Sequence, residues 1–225
     1  MGDMEDSDIF LMLIPCSPAI WEAIKQYLVQ RNTLDVALAE FANFGLEGAR
    51  IDTIAAGTRT SKRMIYYHFG SKEGLYTAVL EYAYRSVREG EDLEPLKTLP
   101  PMQALVRYIS YAFNSFSRHP DFIRLSQQET LQGGRFLKNL PSVQEMNRAS
   151  LAMLDSIVRR GQADGSMRSD VDPLHVYINY IGLCHYHISS RHNYSLQFDF
   201  DPTQPDNQAA RLASITDMVV RYVQT

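Results

Sequence analysis

The stretch IDTIAAGTRTSKRMIYYHFGSK, residues 51–72, decides the fold. It divides into two short helical segments, 51–57 and 61–67, joined by a tight turn. Ile51, Ile54 and Ala55 make the core side of the first segment, and Ala56 and Gly57 stay small where the two helices cross. Ser61 is placed as an N-cap, leaving free N–H groups at a helix start that favours anions. Arg59, Lys62, Arg63 and Lys72 fall within residues 59–72, which hold no Asp or Glu. A helix-turn-helix needs this combination, with small residues at the crossing and polar or basic side chains on the helix that enters the major groove. Lys62, Arg63 and Met64 occupy the first turn of that helix, the part that reaches base edges. Arg63 can pair with guanine O6 and N7. Tyr66 and His68 can donate to phosphates, and Tyr67 joins the same segment. Lys72 can hold another phosphate at the start of the next helix. Ile65 and Phe69 read as core anchors. A basic face of this kind is also what a solvated pair of ordinary helices can carry, but the helical context on both sides favours a DNA reader.

Outward from this motif, most segments show helical spacing and almost none alternates like a strand. Ile20, Ile24 and Leu28 predict a helix over 19–30. Leu34, Leu38, Phe41 and Phe44 form the next apolar stripe, closed by Gly45 as a C-cap. Ser71 caps a helix starting at Lys72 with Leu75, Val79 and Tyr82 as its core stripe. Residues 89–101, with Pro95, Pro100, Pro101 and four acids, read as a linker. Beyond it, helices are expected over 102–117 (Leu105, Ile109, Phe113 and Phe116 inward), 121–131, 142–163, 173–190 and 209–223. Leu212, Ile215, Val219 and Tyr222 mark the buried face of the last. The architecture is all-α, with an N-terminal helix-turn-helix domain over 31–88 and a larger helical domain over 102–225. Residues 1–30 form an extension, for which a packed helix, a disordered arm and an over-extended start compete. A short helix at 19–30 with a loose tip is favoured.

The net charge of −4 and pI near 5.9 look wrong for a DNA binder. Residues 1–30, however, carry five acids and one base, which leaves 21 acids and 21 bases over 31–225, with positive charge concentrated at 59–72. Local field, not net charge, steers a surface toward phosphate. Two cysteines, Cys16 and Cys184, make neither a disulfide framework nor a CxxC motif, which fits a reducing cytoplasm. The early apolar run, 9–14, is far short of the roughly 20 residues that span a bilayer, and its flank is acidic where an export signal would be basic. No membrane association is expected.

Residues 31–80 resemble the N-terminal domain of tetracycline-repressor (TetR) family regulators. The resemblance rests on Arg31, Ala37, Phe41, Gly45, the run Ile54-Ala55-Ala56, Ser61-Lys62, Tyr66-Tyr67-His68-Phe69 and Gly70-Ser71-Lys72-Glu73-Gly74-Leu75. Two positions depart from the family pattern. Arg50 stands where Thr or Ser usually caps the first short helix, and Arg59-Thr60 replaces the usual Gly-Val of the turn. The resemblance implies a homodimer whose C-terminal domain forms both a ligand pocket and the dimer interface. It also implies that ligand binding changes the spacing of two DNA heads on a palindromic operator. The DNA-facing set is then Arg50, Arg59, Thr60, Ser61, Lys62, Arg63, Met64, Tyr66, Tyr67, His68 and Lys72.

The C-terminal half is rich in aromatics, most of them core and a minority expected to line a pocket. A pocket also needs a few polar groups to orient its ligand. Tyr111, Phe116, Glu129, Asn147, Asn179 and His185 are the candidates for a small-molecule effector, with Arg135 also considered. His175, His185, His187 and His192 invite a metal reading, but His185 and His187 lie two apart and point to different sides of a helix. No ligand spacing of a known metal site accompanies them, so helix packing is the preferred role. Gly182 can admit a partner helix closely. No GxSxG or GxxxxGK[ST] motif supports an enzyme, and no cofactor is expected. The competing reading is a DNA-binding regulator without small-molecule input, controlled by abundance or a protein partner.

Overall fold

The computed structural model describes residues 18–58, 60–89 and 92–224, with side chains from Tyr27 onward. Among these lie ten α-helices: α1 (Pro18–Gly48), α2 (Ile51–Ala56), α3 (Lys62–Phe69), α4 (Lys72–Ser86), α5 (Pro101–Arg118), α6 (Pro120–Leu131), α7 (Pro141–Ala163), α8 (Pro173–Ser189), α9 (Arg191–Phe198) and α10 (Pro205–Val223). Proline punctuates the chain. Five helices of the C-terminal body begin on Pro101, Pro120, Pro141, Pro173 and Pro205, where the missing N–H is an orphan in any case. Short 3-10 turns at Glu94–Lys97 and Leu137–Asn139 fill two of the connections.

The two segments expected around 19–30 and 34–44 are one helix. α1 runs from Pro18 to a kink at Gly45, whose φ of 68° is left-handed and suits glycine alone. The polar run Gln30–Thr33 lies inside this helix rather than at a boundary: Arg31 and Asn32 face outward, and the buried Thr33 donates its hydroxyl back to the Val29 carbonyl. Residues 1–17, with the expected loose tip, and the side chains of Ile20 and Ile24 lie outside the described residues. Phe44 is exposed, unlike its stripe partner Phe41, which is fully buried.

A continuous core joins the N-terminal head to the body. In the head, α1 packs along α4 and against α2, and α3 packs on α2 and α4. Phe41 meets Tyr76 edge-on at 5.0 Å, and Tyr76 meets Phe136 of the body at 5.0 Å, so one buried ring bridges the two parts. α1 also lies on α6: Gln128 Nε2 donates to the Ala42 carbonyl (2.9 Å) and Arg124 donates to Asn43 Oδ1 (3.0 Å). In the body, α5 sits at the centre of α7, α8 and α10 and buries Leu105, Ile109, Phe113 and Phe116. The segment expected to be a linker is pinned down. Leu96 is fully buried, and the Arg160 guanidinium donates to the Leu96 and Leu99 carbonyls.

Some expected core positions fall at edges. Tyr82 is half-buried and donates its hydroxyl to the Asp35 carboxylate on α1. Tyr222 is exposed beneath the Arg168 guanidinium, 5.5 Å from its ring centre, and Val223 takes the buried place. α10 begins at Pro205, four residues ahead of the expected start at 209, and α9 was not anticipated. No helix among the described residues is long and apolar enough to cross a membrane.

Candidate nucleic-acid interface and interior cavity

The reading face is built by local caps and one close contact. Ser61 accepts the Met64 N–H (3.2 Å) and starts α3, and Ser71 accepts the Gly74 N–H (2.9 Å) and starts α4. A Cβ at Gly74 would stand 2.0 Å from the Phe69 carbonyl oxygen, so only glycine lets α4 turn this tightly off the end of α3. Along α3, Ile65 is buried and Phe69 and His68 are partly so. Arg63, Tyr66 and Tyr67, at the complementary spacing, point away from the core. Tyr67 is 77% exposed, and Met64 and Tyr66 39% each.

The cations on this face differ in their freedom. Arg63 has no partner among the described residues. Lys62 is held by Asp52, the first-turn acid of α2, at 2.9 Å, and this hydrogen bond keeps its ammonium above its ordinary range. Lys72 Nζ donates to the Glu47 carbonyl (3.1 Å), where the last turn of α1 offers negative partial charge. His68 turns inward, with Nδ1 3.4 Å from Gln30 Nε2, an orientation that suits bracing α3 on α1 better than the expected phosphate contact. Thr60 is half-buried in the turn, and Arg59 lies outside the described residues. Arg50 precedes α2 with no side-chain cap. Its backbone N–H instead donates to Glu40 Oε1 (2.9 Å), a buried carboxylate that anchors the start of α2 on α1, and the Arg50 side chain is left exposed.

The body encloses a cavity of about 350 Å³ between α4, α5, α6, α7 and α8, within the usual range of ligand pockets, roughly 300–1,000 Å³. Phe116, Asn147 and His185, three of the candidates, line it. The other three do not. The Tyr111 hydroxyl faces outward, accepting from Arg107 (2.7 Å) and donating to the Asp92 carbonyl (3.1 Å). Glu129 is fully buried but serves the following loop, where its Oε2 accepts the Phe136 and Leu137 N–H groups at 3.1 and 3.2 Å. Asn179 is exposed on α8, in a shallow groove beside Gly182 and Met218. Arg135 lies outside the cavity, its guanidinium 5.1 Å from the Phe136 ring centre.

Inside, Tyr108, Tyr177 and Tyr180 form an edge-to-face cluster with centroids 5.6–5.9 Å apart. Burial pushes the Tyr84 hydroxyl up to about 12 against the opposing pull of Arg88, so it is a neutral group. His185 Nε2 lies 3.0 Å from Ser126 Oγ, and burial lowers its pKa toward the neutral imidazole. His187, also lowered by burial first and Arg211 second, stacks on Phe113 at 5.4 Å outside the cavity. The residue that sequence reasoning missed is Arg88, just past the end of α4. Its neighbourhood in the sequence, VREGED, reads as solvated charge. Folding turns it inward, where Nη2 donates to Asn147 Oδ1 (2.8 Å), Nε to Ser150 Oγ (3.2 Å) and Nη1 to the Tyr84 carbonyl (3.2 Å).

Known proteins place this arrangement. Residues 34–79 match the family of bacterial regulatory proteins of the tetR type, and residues 101–219 match the tetracyclin repressor-like C-terminal domain. The chain is 32% identical over 190 residues to the HTH-type transcriptional repressor NicS of Pseudomonas putida, spanning 84% of this chain and 90% of that one. It is 30% identical over 155 residues to the HTH-type transcriptional regulator RutR of Escherichia coli, spanning 65% and 68%. In three dimensions it is similar to the Streptomyces coelicolor protein SCO4942 (TM-score 0.65, 26% identity, 87% and 98% covered). It also shares its fold with FadR from Bacillus subtilis, solved in complex with stearoyl-CoA (TM-score 0.62, 17% identity, 84% and 97% covered). With a helix-turn-helix head and a helical body both matched in order along one chain, this protein belongs to the TetR family of bacterial transcriptional regulators.

Proposed function

We propose that the protein is a ligand-responsive repressor that binds a near-palindromic operator as a homodimer. The observation that carries this is the join between two features: an outward reading face on α3 and an open cavity in the body, linked by one helix. α6 presents Phe122, Ser126 and Thr130 to the cavity and sets Arg124 and Gln128 on α1 beside the Gly45 kink. A ligand that shifts α6 therefore shifts the head. The operator affinity lost equals the ligand's preference for one head spacing over the other, ordinarily about 1–3 kcal/mol. An open interior also favours ligand control over regulation by abundance or a protein partner. The named repressor NicS and the ligand-bound FadR are consistent with both halves of this reading.

In this proposal Arg63 reads a base edge from the first turn of α3. Ser61, Met64, Tyr66 and Tyr67 complete the groove contacts. Arg50, Thr60, Lys62 and Lys72, joined by Arg59, hold the phosphates. His68 acts through α3's position. The dimer face lies on α8 and α10, where Ile178, Met218 and Tyr222 stay exposed around a groove that Val219 also lines, and Leu174 is exposed earlier on α8. A Cβ at Gly182 would meet nothing within 4 Å, so the backbone there is open to a symmetric helix.

Selection of short duplexes from a random library at two salt concentrations, beside Arg63→Ala, tests the reading. A palindrome whose specificity relaxes at one symmetric pair of positions in the variant is expected. Selection without a motif, falling steeply with salt, would reduce the binding to phosphate attraction alone. A monomer by light scattering at micromolar concentration would remove the dimer.

A further inference from the structure

We propose that the effector is a small aromatic carboxylate, whose carboxylate docks on Arg88 while its ring packs among Tyr177, Tyr180 and Phe116. The inference rests on the ligand-responsive reading above and deepens it.

The argument starts from the charge balance of the cavity. Arg88 is its one permanent cation, and no Asp or Glu is among the lining residues. Every hydrogen bond that Arg88 makes goes to a neutral acceptor: an amide oxygen, a hydroxyl and a backbone carbonyl. No carboxylate pairs with it among the described residues. Of the described acids, Glu129 accepts two loop amides through Oε2 and Glu89 faces Arg31 across the surface at 4.0 Å. A half-buried guanidinium without a counter-ion is costly, and a bound anion is the usual remedy.

Geometry fits the same answer. A guanidinium carries five N–H groups. Three are used here, one on each nitrogen, which leaves one free on each terminal nitrogen. With a donor left on each of Nη1 and Nη2, the guanidinium retains the number of donors that a carboxylate's two oxygens accept. Asn147 and Ser150 fix the plane of this fork, so it is oriented before any ligand arrives. The remaining walls are aromatic or weakly polar, and the volume of about 350 Å³ suits one or two rings rather than a long acyl chain. Arg88 also follows the last turn of α4, the helix that leads to the reading head, so an anion drawn to it acts where head and body meet.

The test is calorimetric titration of the full-length protein with benzoate, cinnamate, 2-naphthoate and indole-3-acetate, each beside its primary amide. Release of the selected operator is followed in parallel by fluorescence anisotropy. At least one acid is expected to bind and to release DNA, with its amide weaker by about 10- to 100-fold. Arg88→Gln is expected to erase the difference between acid and amide. Should that variant fail to fold, since Arg88 ties α7 to α4, the acid–amide comparison in the native protein decides alone. Amides that bind as well as acids would overturn the anion assignment while leaving ligand control intact. Failure of both sets would also overturn it. Ligand control itself would then stand or fall on operator release by a library of neutral and cationic compounds.

Discussion

Asp52→Asn is expected to tighten non-specific DNA binding and to steepen its dependence on salt. The pair between Lys62 and Asp52, at 2.9 Å, sits at the rim of the reading face with side chains 50% and 77% exposed. Exposed pairs of this kind add little to folding, so the variant should unfold at nearly the same urea concentration as the native protein. Removing the carboxylate, however, raises the charge of each reading face by one. Each added cation on duplex DNA makes the slope of log K against log salt more negative by about 0.9, hence about 1.8 for the two heads of the proposed dimer. Across a fourfold rise in salt, from about 50 to about 200 mM, the variant's affinity should fall about 12-fold further than that of the native protein. Anisotropy with a fluorescent duplex of arbitrary sequence measures both slopes. Slopes that agree within about 0.3, with equal affinities at low salt, would refute the claim that Asp52 offsets a DNA-directed charge.

Three further outcomes follow from other contacts. Gly74→Ala would set a Cβ 2.0 Å from the Phe69 carbonyl oxygen. A loss of at least about 1–3 kcal/mol in urea unfolding is expected, with operator binding weakened, and an unchanged midpoint would contradict the close approach. Gln128→Ala removes the bond to the Ala42 carbonyl. It should leave ligand affinity and ligand-free operator binding within a few-fold while reducing ligand-driven release, and full retention of release would mean that coupling bypasses α6. The pH profile of stability is set partly by His185 and His187, whose folded pKa values burial holds below the ordinary value near 6.5. The unfolded chain binds their protons first, so stability is full above pH 6.5 and declines as the pH falls through 6.5 toward the lowered folded values. His187→Phe, which keeps a ring against Phe113, should flatten the Tm profile between about pH 5 and 7. A parallel profile would show that His187 does not carry the effect.

What the sequence revealed was mostly what local chemistry controls. Ser61 and Ser71 cap their helices within three residues of themselves, and Gly45 ends the straight part of α1 through its own φ, so all three were legible. The apolar spacing of α5 was equally plain because its central place buries a whole face. α9 buries no residue and so leaves no periodic signal. Tyr82 and Tyr222 hold the right spacing but stand at the edges of their stripes, a distinction that needs the neighbouring helix. The cavity was the least legible feature, because five helices converge on it from distant parts of the chain. Asn147 and His185 proved to face it whereas Glu129, Asn179 and Tyr111 did not, and composition cannot separate these cases. Arg88 was hidden by its acidic sequence neighbours, of which Glu89 faces Arg31 and Asp92 accepts the Glu94 N–H.

The bond from the Arg50 amide to Glu40 has an evolutionary consequence. α2 has only six residues, far below the roughly 12–15 at which isolated helices become marginally stable. A helix that short usually ties its starting residue to a capping side chain, which fixes that residue's identity. Here no side chain caps the helix, and its start is anchored instead by a buried carboxylate ten positions upstream that holds the residue 50 amide, so residue 50 contributes only its backbone. Position 50 can thus vary in charge and length while α2 stays in register. In this chain one site on the edge of the DNA-facing surface is thereby released from a folding constraint and left free to adjust operator preference.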